Sequence, residues 1–418
     1  MRVRGPHGVS SWHSALLRNV VHAPALRYRD FRLLCVSSIF DAVGFMGENV
    51  ALGWVVLTLT DSPLMVGVAL GLRSAPSFFL GLVAGAIADM TDRRTLLRAL
   101  DVASAAVTLV LGLLLLSDDA KLWHLFALTT VGGGLSTLNL TARQSFAYDI
   151  VGPGNVLSGL AYVSLGMRLG GMVGALAAGL LLGWAGPGYA YLMLAGGYVA
   201  SAIVLTMIRS RGQSAPATGQ PVLKNLREFG TEIRRNRTLL WLVVIVGGVE
   251  VLGFSTQALL PSIARDVLEV GPEGLGVMGA FSSAGGVLAM VLLSPFGEIR
   301  RTGLAFIGVL HVFGLSLVLL GIASNFYVAI LAVLVMSGMM ALSDLFSQSL
   351  VQRSVPNELR GRAMGAWMVA VGTAPVGNLQ IGALASVFGV ALALGSHGIG
   401  LIVLAAMTLA FSTRLRRL

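Results

Sequence analysis

The sequence predicts an all-α membrane protein whose twelve transmembrane helices form two pseudo-symmetric six-helix bundles. Three observations lead to this prediction. Of the 418 residues, 56% are hydrophobic and only 11% are charged, whereas roughly 25% of a soluble domain is charged. Twelve apolar runs follow one another along the chain, each long enough to cross a bilayer. Short patterns from the first half also return about half a chain length later, as duplicated halves require.

The twelve apolar runs fall into two sets of six. We expect spans at 33–59, 64–88, 95–116, 122–140, 156–183 and 189–208, and then at 239–263, 275–296, 303–323, 326–350, 364–388 and 390–411. A very short turn at Gly389 separates the last two. The predicted organisation is a basic cytoplasmic segment (1–32), a first bundle (33–208), a cytoplasmic linker (209–238), a second bundle (239–411) and a cytoplasmic tail (412–418). Such a linker permits the bundles to rock against each other.

The net charge of +10 follows from membrane topology, so it does not indicate nucleic-acid binding. Most of the 29 Lys and Arg precede the first span, follow every second span or lie in the tail, while the opposite loops carry acidic residues. Basic residues collect on the cytoplasmic side of membrane proteins. We therefore expect a multi-pass protein of the cell (inner) membrane with both termini in the cytoplasm. The one cysteine, Cys35, excludes an internal disulfide.

The internal repeat is visible at corresponding places in the two halves. Segments 67–75 and 276–284 both begin with Gly-Val and end with Ser-Ala. The run Arg-Arg-Thr at 93–95 returns at 300–302. These matches are short, but they occur in the same order, which indicates a parallel duplication.

The connection after the second span resembles the G-x-x-x-D-R-x-G-R-R/K signature of the major facilitator superfamily. Four residues fit this signature and two depart from it: Gly85, Asp89, Arg93 and Arg94 against Met90 and Asp92. The resemblance implies that spans 1, 4, 7 and 10 line a central cavity, while spans 3, 6, 9 and 12 face lipid. It also implies a cytoplasmic gate, in which Asp89 caps the next helix and pairs with a cation of the other bundle.

Within the superfamily, segments 27–34, 142–144 and 352–362 are similar to the exporter branch that includes macrolide efflux pumps and the enterobactin exporter. Gly170 to Gly174 resembles the antiporter motif of the fifth span, although Gly171 stands where a proline is usual. Many proton-coupled drug exporters carry an arginine within span 4. Here the first arginine is Arg143, at the predicted cytoplasmic end. The predicted gate residues are Gly85, Asp89, Asp92, Arg93, Arg94, Arg143, Glu358, Arg360 and Arg362.

Ionisable residues inside the spans are the candidates for transport chemistry, because a charge at mid-membrane costs roughly 2.5–3.5 kcal/mol. Asp41 and Glu48 lie about two turns apart on one helical face. A carboxyl in a partly dehydrated cavity holds a proton more readily than one in water, so we predict that one of the two carries the coupling proton. The candidates for cavity and substrate contacts are Arg73, Arg168, Glu250 and Asp344.

A structural interpretation of these charges stands beside the functional one. Asp41 with Arg168, or Glu48 with Arg73, would then form buried pairs that simply fix the first bundle. Five aromatic residues are candidates for stacking against a flat substrate: Phe45, Trp54, Phe254, Phe281 and Trp367.

The function predicted from these features is export of a small amphipathic organic molecule, either drug-like or siderophore-like, by alternating access and proton antiport. No nucleotide-binding loop, metal site or nucleophile with its base is visible, so we expect a monomeric, non-enzymatic transporter driven by the proton gradient without a cofactor. Two alternatives remain open. One is a proton symporter that imports a nutrient, and the other is a transport-inactive membrane sensor that binds a ligand.

Overall fold

A computed structural model describes residues 24–212, 237–294, 299, 301–355, 360–412 and 415. Within these ranges, a 3-10 turn at Pro24–Arg27 precedes twelve main helices, one at each of the twelve predicted spans. The first half contains α1 Arg29–Thr60, α2 Pro63–Met90, α3 Arg93–Leu116, α4 Leu122–Val151, α5 Val156–Trp184 and α6 Pro187–Thr206. The second half contains α7 Arg237–Leu252, α8 Gly271–Leu293, α9 Thr302–Gly321, α10 Phe326–Arg353, α11 in two pieces (Arg360–Val371 and Ala374–Phe388) and α12 Val390–Phe411.

In the part of the chain that the structure describes, eleven helices are long and apolar enough to cross a membrane. Helix α4 is just as long, but three consecutive glycines and several polar residues make it less apolar than the others. The predicted span 122–140 therefore ends too early, because the helix continues to Val151. Hydropathy does not detect this last part, because it contains polar residues such as Thr141, Arg143 and Gln144.

Two helices of the second half are interrupted. Helix α7 continues beyond Leu252 as a 3-10 turn at Phe254–Leu259 and a π turn at Ile263–Val267. The two pieces of α11 meet just before Pro375, whose ring removes a backbone N–H. The predicted short turn between spans 11 and 12 is confirmed. Gly389 alone separates the two helices, and its φ of 85° suits a residue without a Cβ.

Helix α5 uses glycines to approach α1 at backbone distance. A Cβ on Gly170 would lie 2.1 Å from the carbonyl oxygen of Ile39, and one on Gly174 would lie 2.3 Å from that of Val43. Small residues permit such contacts between membrane helices. The glycines of the antiporter-like motif therefore provide close packing without the usual proline.

The two halves meet at the end of the bundle that carries the α1–α2 and α7–α8 loops, called here the distal end. A Cβ on Gly179 of α5 would lie 2.6 Å from the Cα of Gly276 in α8. On the opposite side, a Cβ on Gly67 of α2 would lie 2.3 Å from the carbonyl oxygen of Asn378 in α11. The backbones of the two halves thus touch directly at the distal end.

The apolar cores of the halves differ. The second half has one continuous core, which includes Phe306, Phe313 and Met336. The first half has two separate clusters, one at the distal end around Tyr191 and one near the chain termini around Phe146. The residues between these two clusters are polar, and they form the candidate site.

Candidate functional site

The first polar network centres on an ion pair between α1 and α2. Arg73 Nη2 donates to Glu48 Oε2 at 2.8 Å, and both side chains are buried. The Tyr198 hydroxyl donates to the same carboxylate at 3.2 Å, and Thr108 Oγ1 donates to its other oxygen at 2.6 Å. The Arg73 guanidinium also lies 5.0 Å from the ring centre of Phe45. The one carboxylate and the one guanidinium balance each other, so the network carries no net charge. Its hydrogen bonds join α1, α2, α3 and α6.

The second network centres on Arg143 of α4, which is fully buried. Its Nη2 lies 3.5 Å from Asp41 of α1 and 3.6 Å from Asp101 of α3. Its Nε donates to Asn139 Oδ1 at 3.0 Å, and its Nη1 donates to Ser37 Oγ at 2.8 Å. One guanidinium therefore faces two carboxyl groups.

Asp101, like Arg143, has no exposed surface. One of its oxygens accepts from Asn139 Nδ2 and the other from Ser201 Oγ of α6. The carboxyl groups of Asp41 and Asp101 thus share a single cationic partner, Arg143.

These networks correct three expectations from the sequence. Glu48 pairs with Arg73 as predicted, but Asp41 contacts Arg143 and not Arg168. Arg143 lies eight residues inside α4, not at the end of a span. Span 3 was expected to face lipid, yet its Asp101 points into the interior. The signal for Asp101 was available, because it is the one acidic residue in the run 95–116.

The second half contributes two carboxyl groups without a cationic partner. Glu250 of α7 is buried and Asp344 of α10 is partly buried. Among the residues that the structure describes, neither has a cation within 4 Å. Arg168 extends from α5 of the first half to α8 of the second, where a Cβ on Gly286 would meet its guanidinium.

The connection after α2 is organised within the first half. Asp92 caps α3, where its Oδ1 accepts from the backbone N–H of Arg94 at 3.0 Å and from that of the next residue at 3.2 Å. Arg94 Nη1 donates to the carbonyl oxygen of Ile208 at 2.7 Å. Arg93 forms an ion pair with Asp149 of α4. Asp92 therefore performs the capping that the family resemblance assigned to Asp89.

The other predicted gate residues can be placed only by backbone. Gly85 and Asp89 lie on α2, and Arg360 and Arg362 begin α11. The side chains of these residues, like the whole of Glu358, lie outside the part of the chain that the structure describes.

The distal end carries a second contact between the halves. Arg265, at the end of the interrupted α7, donates from Nη1 to the carbonyl oxygen of Leu57 and to Asp61 Oδ1, both at 2.9 Å. Both acceptors belong to the C-terminal end of α1, where a cation is favoured by the helix dipole. Arg265 thereby fastens the second half to the first at the distal end.

Of the predicted aromatic residues, Phe281 of α8 is 40% exposed. Trp367 Nε1 donates to Ser347 Oγ at 3.0 Å, and Phe254 packs edge-on against Phe313. Within the described ranges, no three His, Cys, Asp or Glu residues gather as a metal site would require.

The architecture and the sequence agree with known transporters. Residues 21–417 match the model of the transmembrane secretion effector family. The staphyloferrin A transporter of Staphylococcus aureus is 25% identical over 372 residues, which cover 86% of this chain and 91% of that protein. The enterobactin exporter EntS of Salmonella typhimurium is 22% identical over 389 residues, 93% of each chain. Among solved structures, the nucleoside transporter NupG superposes with a TM-score of 0.79 at 12% identity, over 92% of this chain and 100% of that one.

A family match over nearly the whole length decides the classification, and the likeness to NupG shows the same fold. This chain therefore belongs to the transmembrane secretion effector family of the major facilitator superfamily, and it is a multi-pass membrane transporter.

Proposed function

We propose that this transporter exports a small amphipathic organic molecule, drug-like or siderophore-like, across the inner membrane by proton antiport. Both termini lie in the cytoplasm, and a single chain suffices without a cofactor. The distribution of basic residues supports the orientation. The names of two relatives, a staphyloferrin A transporter and an enterobactin exporter, support a siderophore-like substrate.

The observation that carries the proposal is the cluster of Asp41, Asp101 and Arg143. With both carboxyls ionised, this buried cluster has one negative charge in excess, which is costly in a low-dielectric interior. One bound proton removes the excess. Binding of one proton therefore makes the cluster neutral, and release of that proton makes it singly negative. The pair of Glu48 and Arg73 is already neutral without a bound proton, so it does not take part in this exchange.

Loss of that proton would favour a different arrangement of α1, α3 and α4, because a ligand shifts a conformational equilibrium by its differential affinity for the two states. In the proposed orientation the distal end faces the outside, and the contacts of Arg265 and of Gly179 close it. The described conformation is then the one closed to the outside. Proton entry from the outside follows when these contacts separate.

The test uses inverted membrane vesicles loaded with a pH-sensitive dye, with enterobactin, staphyloferrin A and a fluorescent drug-like dye as trial substrates. We expect substrate to accumulate in the vesicles while protons leave them. In Asp101→Asn, the remaining Asp41 and Arg143 balance without a proton, so proton-driven accumulation should be lost while counterflow persists. The matched control is Asp118→Asn, because Asp118 is exposed and has a φ of 57°, which Asn adopts readily.

Each alternative function has its own result in the same vesicles. Depletion of substrate together with protons would indicate an importing symporter, and binding without flux would indicate a sensor. If Asp41→Asn and Asp101→Asn both retain full substrate-dependent proton flux, the cluster does not couple transport to protons.

A further inference from the structure

Three charged side chains between the halves have no partner of opposite charge within 4 Å in the described structure. They are Arg168 of α5, Glu250 of α7 and Asp344 of α10. Arg168 Nε is buried and makes no hydrogen bond to any described residue. Other guanidiniums in the membrane region are engaged, since Arg73 bonds Glu48 and Arg143 faces two carboxyls. A charge in this environment needs a partner.

The helices bring Arg168 and Asp344 to the same pair of neighbouring helices, α8 and α10. Arg168 crosses from the first half to α8, where a Cβ on Gly286 would lie 1.8 Å from its Nη1. Gly286 therefore leaves the room that the guanidinium occupies. Helix α8 is joined to α10 by the 2.7 Å hydrogen bond between Ser282 and Ser337. Asp344 follows Ser337 by two turns on the same face of α10, just as Gly286 follows Ser282 by one turn on α8.

The signs of Arg168 and Asp344 restrict the ligand. A purely anionic molecule would pair with Arg168 but would add negative charge beside Asp344. A purely cationic molecule would pair with Asp344 but would be repelled by Arg168. A molecule with one group of each sign satisfies both side chains and leaves their charges balanced, and charge-assisted hydrogen bonds are about twice as strong as neutral ones.

We propose that the space between Arg168 and Asp344 binds a zwitterionic ligand, whose carboxylate pairs with Arg168 and whose basic amine pairs with Asp344. This inference rests on the proposed transport function, and it names the substrate class of the same cavity. Phe281, the residue before Ser282 on α8, is 40% exposed and offers apolar surface for the rest of the molecule.

Three fluorescent probes with one common skeleton test the charge requirement. Nε-dansyl-lysine carries both a carboxylate and an amine, dansylcadaverine lacks the carboxylate, and N-dansyl-6-aminohexanoic acid lacks the amine. Binding is measured on the purified full chain in detergent micelles. We expect dansyl-lysine to bind about tenfold more tightly than either analogue, or better, since each analogue loses one charge-assisted interaction.

Variants assign each preference to a side chain. In Arg168→Gln, dansyl-lysine should lose its advantage over dansylcadaverine, and in Asp344→Asn it should lose its advantage over the aminohexanoic acid. Gly286→Ala keeps the charge of Arg168 but moves its guanidinium, so it should weaken dansyl-lysine binding severalfold even if Arg168→Gln fails to fold. Gly308→Ala is the control, because a Cβ there meets nothing within 4 Å.

Equal affinity for the three probes, tighter binding of a singly charged probe, or no binding at all would overturn the proposal. So would unchanged selectivity in both Gly286→Ala and Arg168→Gln. The test requires no transport, so it is separable from the exporter function. A zwitterion preference without proton-driven export would refute the exporter alone, and export without that preference would refute this site alone.

Discussion

Replacing Glu48 by Gln removes the carboxylate that neutralises Arg73. Glu48 accepts from Arg73, Tyr198 and Thr108 at 2.6–3.2 Å, and both members of the ion pair are buried. Loss of one partner of a buried pair leaves an unbalanced charge, which costs about 3–5 kcal/mol. We therefore expect Glu48→Gln, and likewise Arg73→Met, to lower the free energy of unfolding by about that amount.

The double variant Glu48→Gln/Arg73→Met separates a structural pair from a coupling group. The double variant removes both charges. Its free energy of unfolding should therefore be at least about 2 kcal/mol higher than the value expected if the losses of the two single variants were added. Reversible unfolding in SDS titrations gives the free energies, and Glu269→Gln at an exposed position is the control. The reasoning is refuted if Glu48→Gln costs less than about 1 kcal/mol and yet abolishes substrate-dependent proton flux. Glu48 would then be a proton carrier and not a structural anchor.

Three further outcomes follow from the contacts. Gly170→Ala should lower the free energy of unfolding by about 1–3 kcal/mol, because its Cβ would meet the α1 backbone. Gly196→Ala is the control and should have no such effect, because a Cβ there would meet nothing within 4 Å. Thermal unfolding monitored by circular dichroism compares the two variants. Arg265→Gln should cost about 1 kcal/mol or less, because its partner Asp61 is exposed, but it should lengthen the distance between spin labels on the α1–α2 and α7–α8 loops. Arg143→Lys keeps the charge but loses the planar set of donors, so vesicle assays should show proton flux lower by about tenfold or more, with no change refuting the assignment.

The helices were predictable from the sequence, because hydropathy reports contact with lipid over about 20 residues. The same property explains where prediction ended too early. The last part of α4 carries polar residues on its buried side, such as Arg143, and on its exposed side, such as Gln144, so the span was assigned only to residue 140. Pro261, in the interrupted part of α7, contacts Gly53 of the other half. A single apolar run contains no record of that contact.

The polar site was predictable in part. Asp41, Glu48 and Arg73 could be selected because a charge within a span is expensive. Their partners could not be selected in the same way, since pairing depends on how each helix is rotated about its axis. Asp41 is 60 residues from Asp101 and 102 from Arg143 in sequence, yet all three meet in one cluster. Asp101 was missed because analogy with the family placed its helix against lipid.

The positions of α1 and α5 connect the two proposed sites. Ile39, two residues before Asp41, is in backbone contact with Gly170, which lies two residues after Arg168. This contact joins backbone to backbone, with no long side chain between the helices that could change its rotamer. A shift of α1 on proton exchange must therefore move α5 as well. That movement would displace the Arg168 guanidinium from the space that Gly286 leaves for it in the other half. In the proposed mechanism, the proton cluster thus acts on the ligand site through one tight helix contact. Gly170→Ala should therefore retain both proton flux and ligand binding but lose the dependence of one on the other.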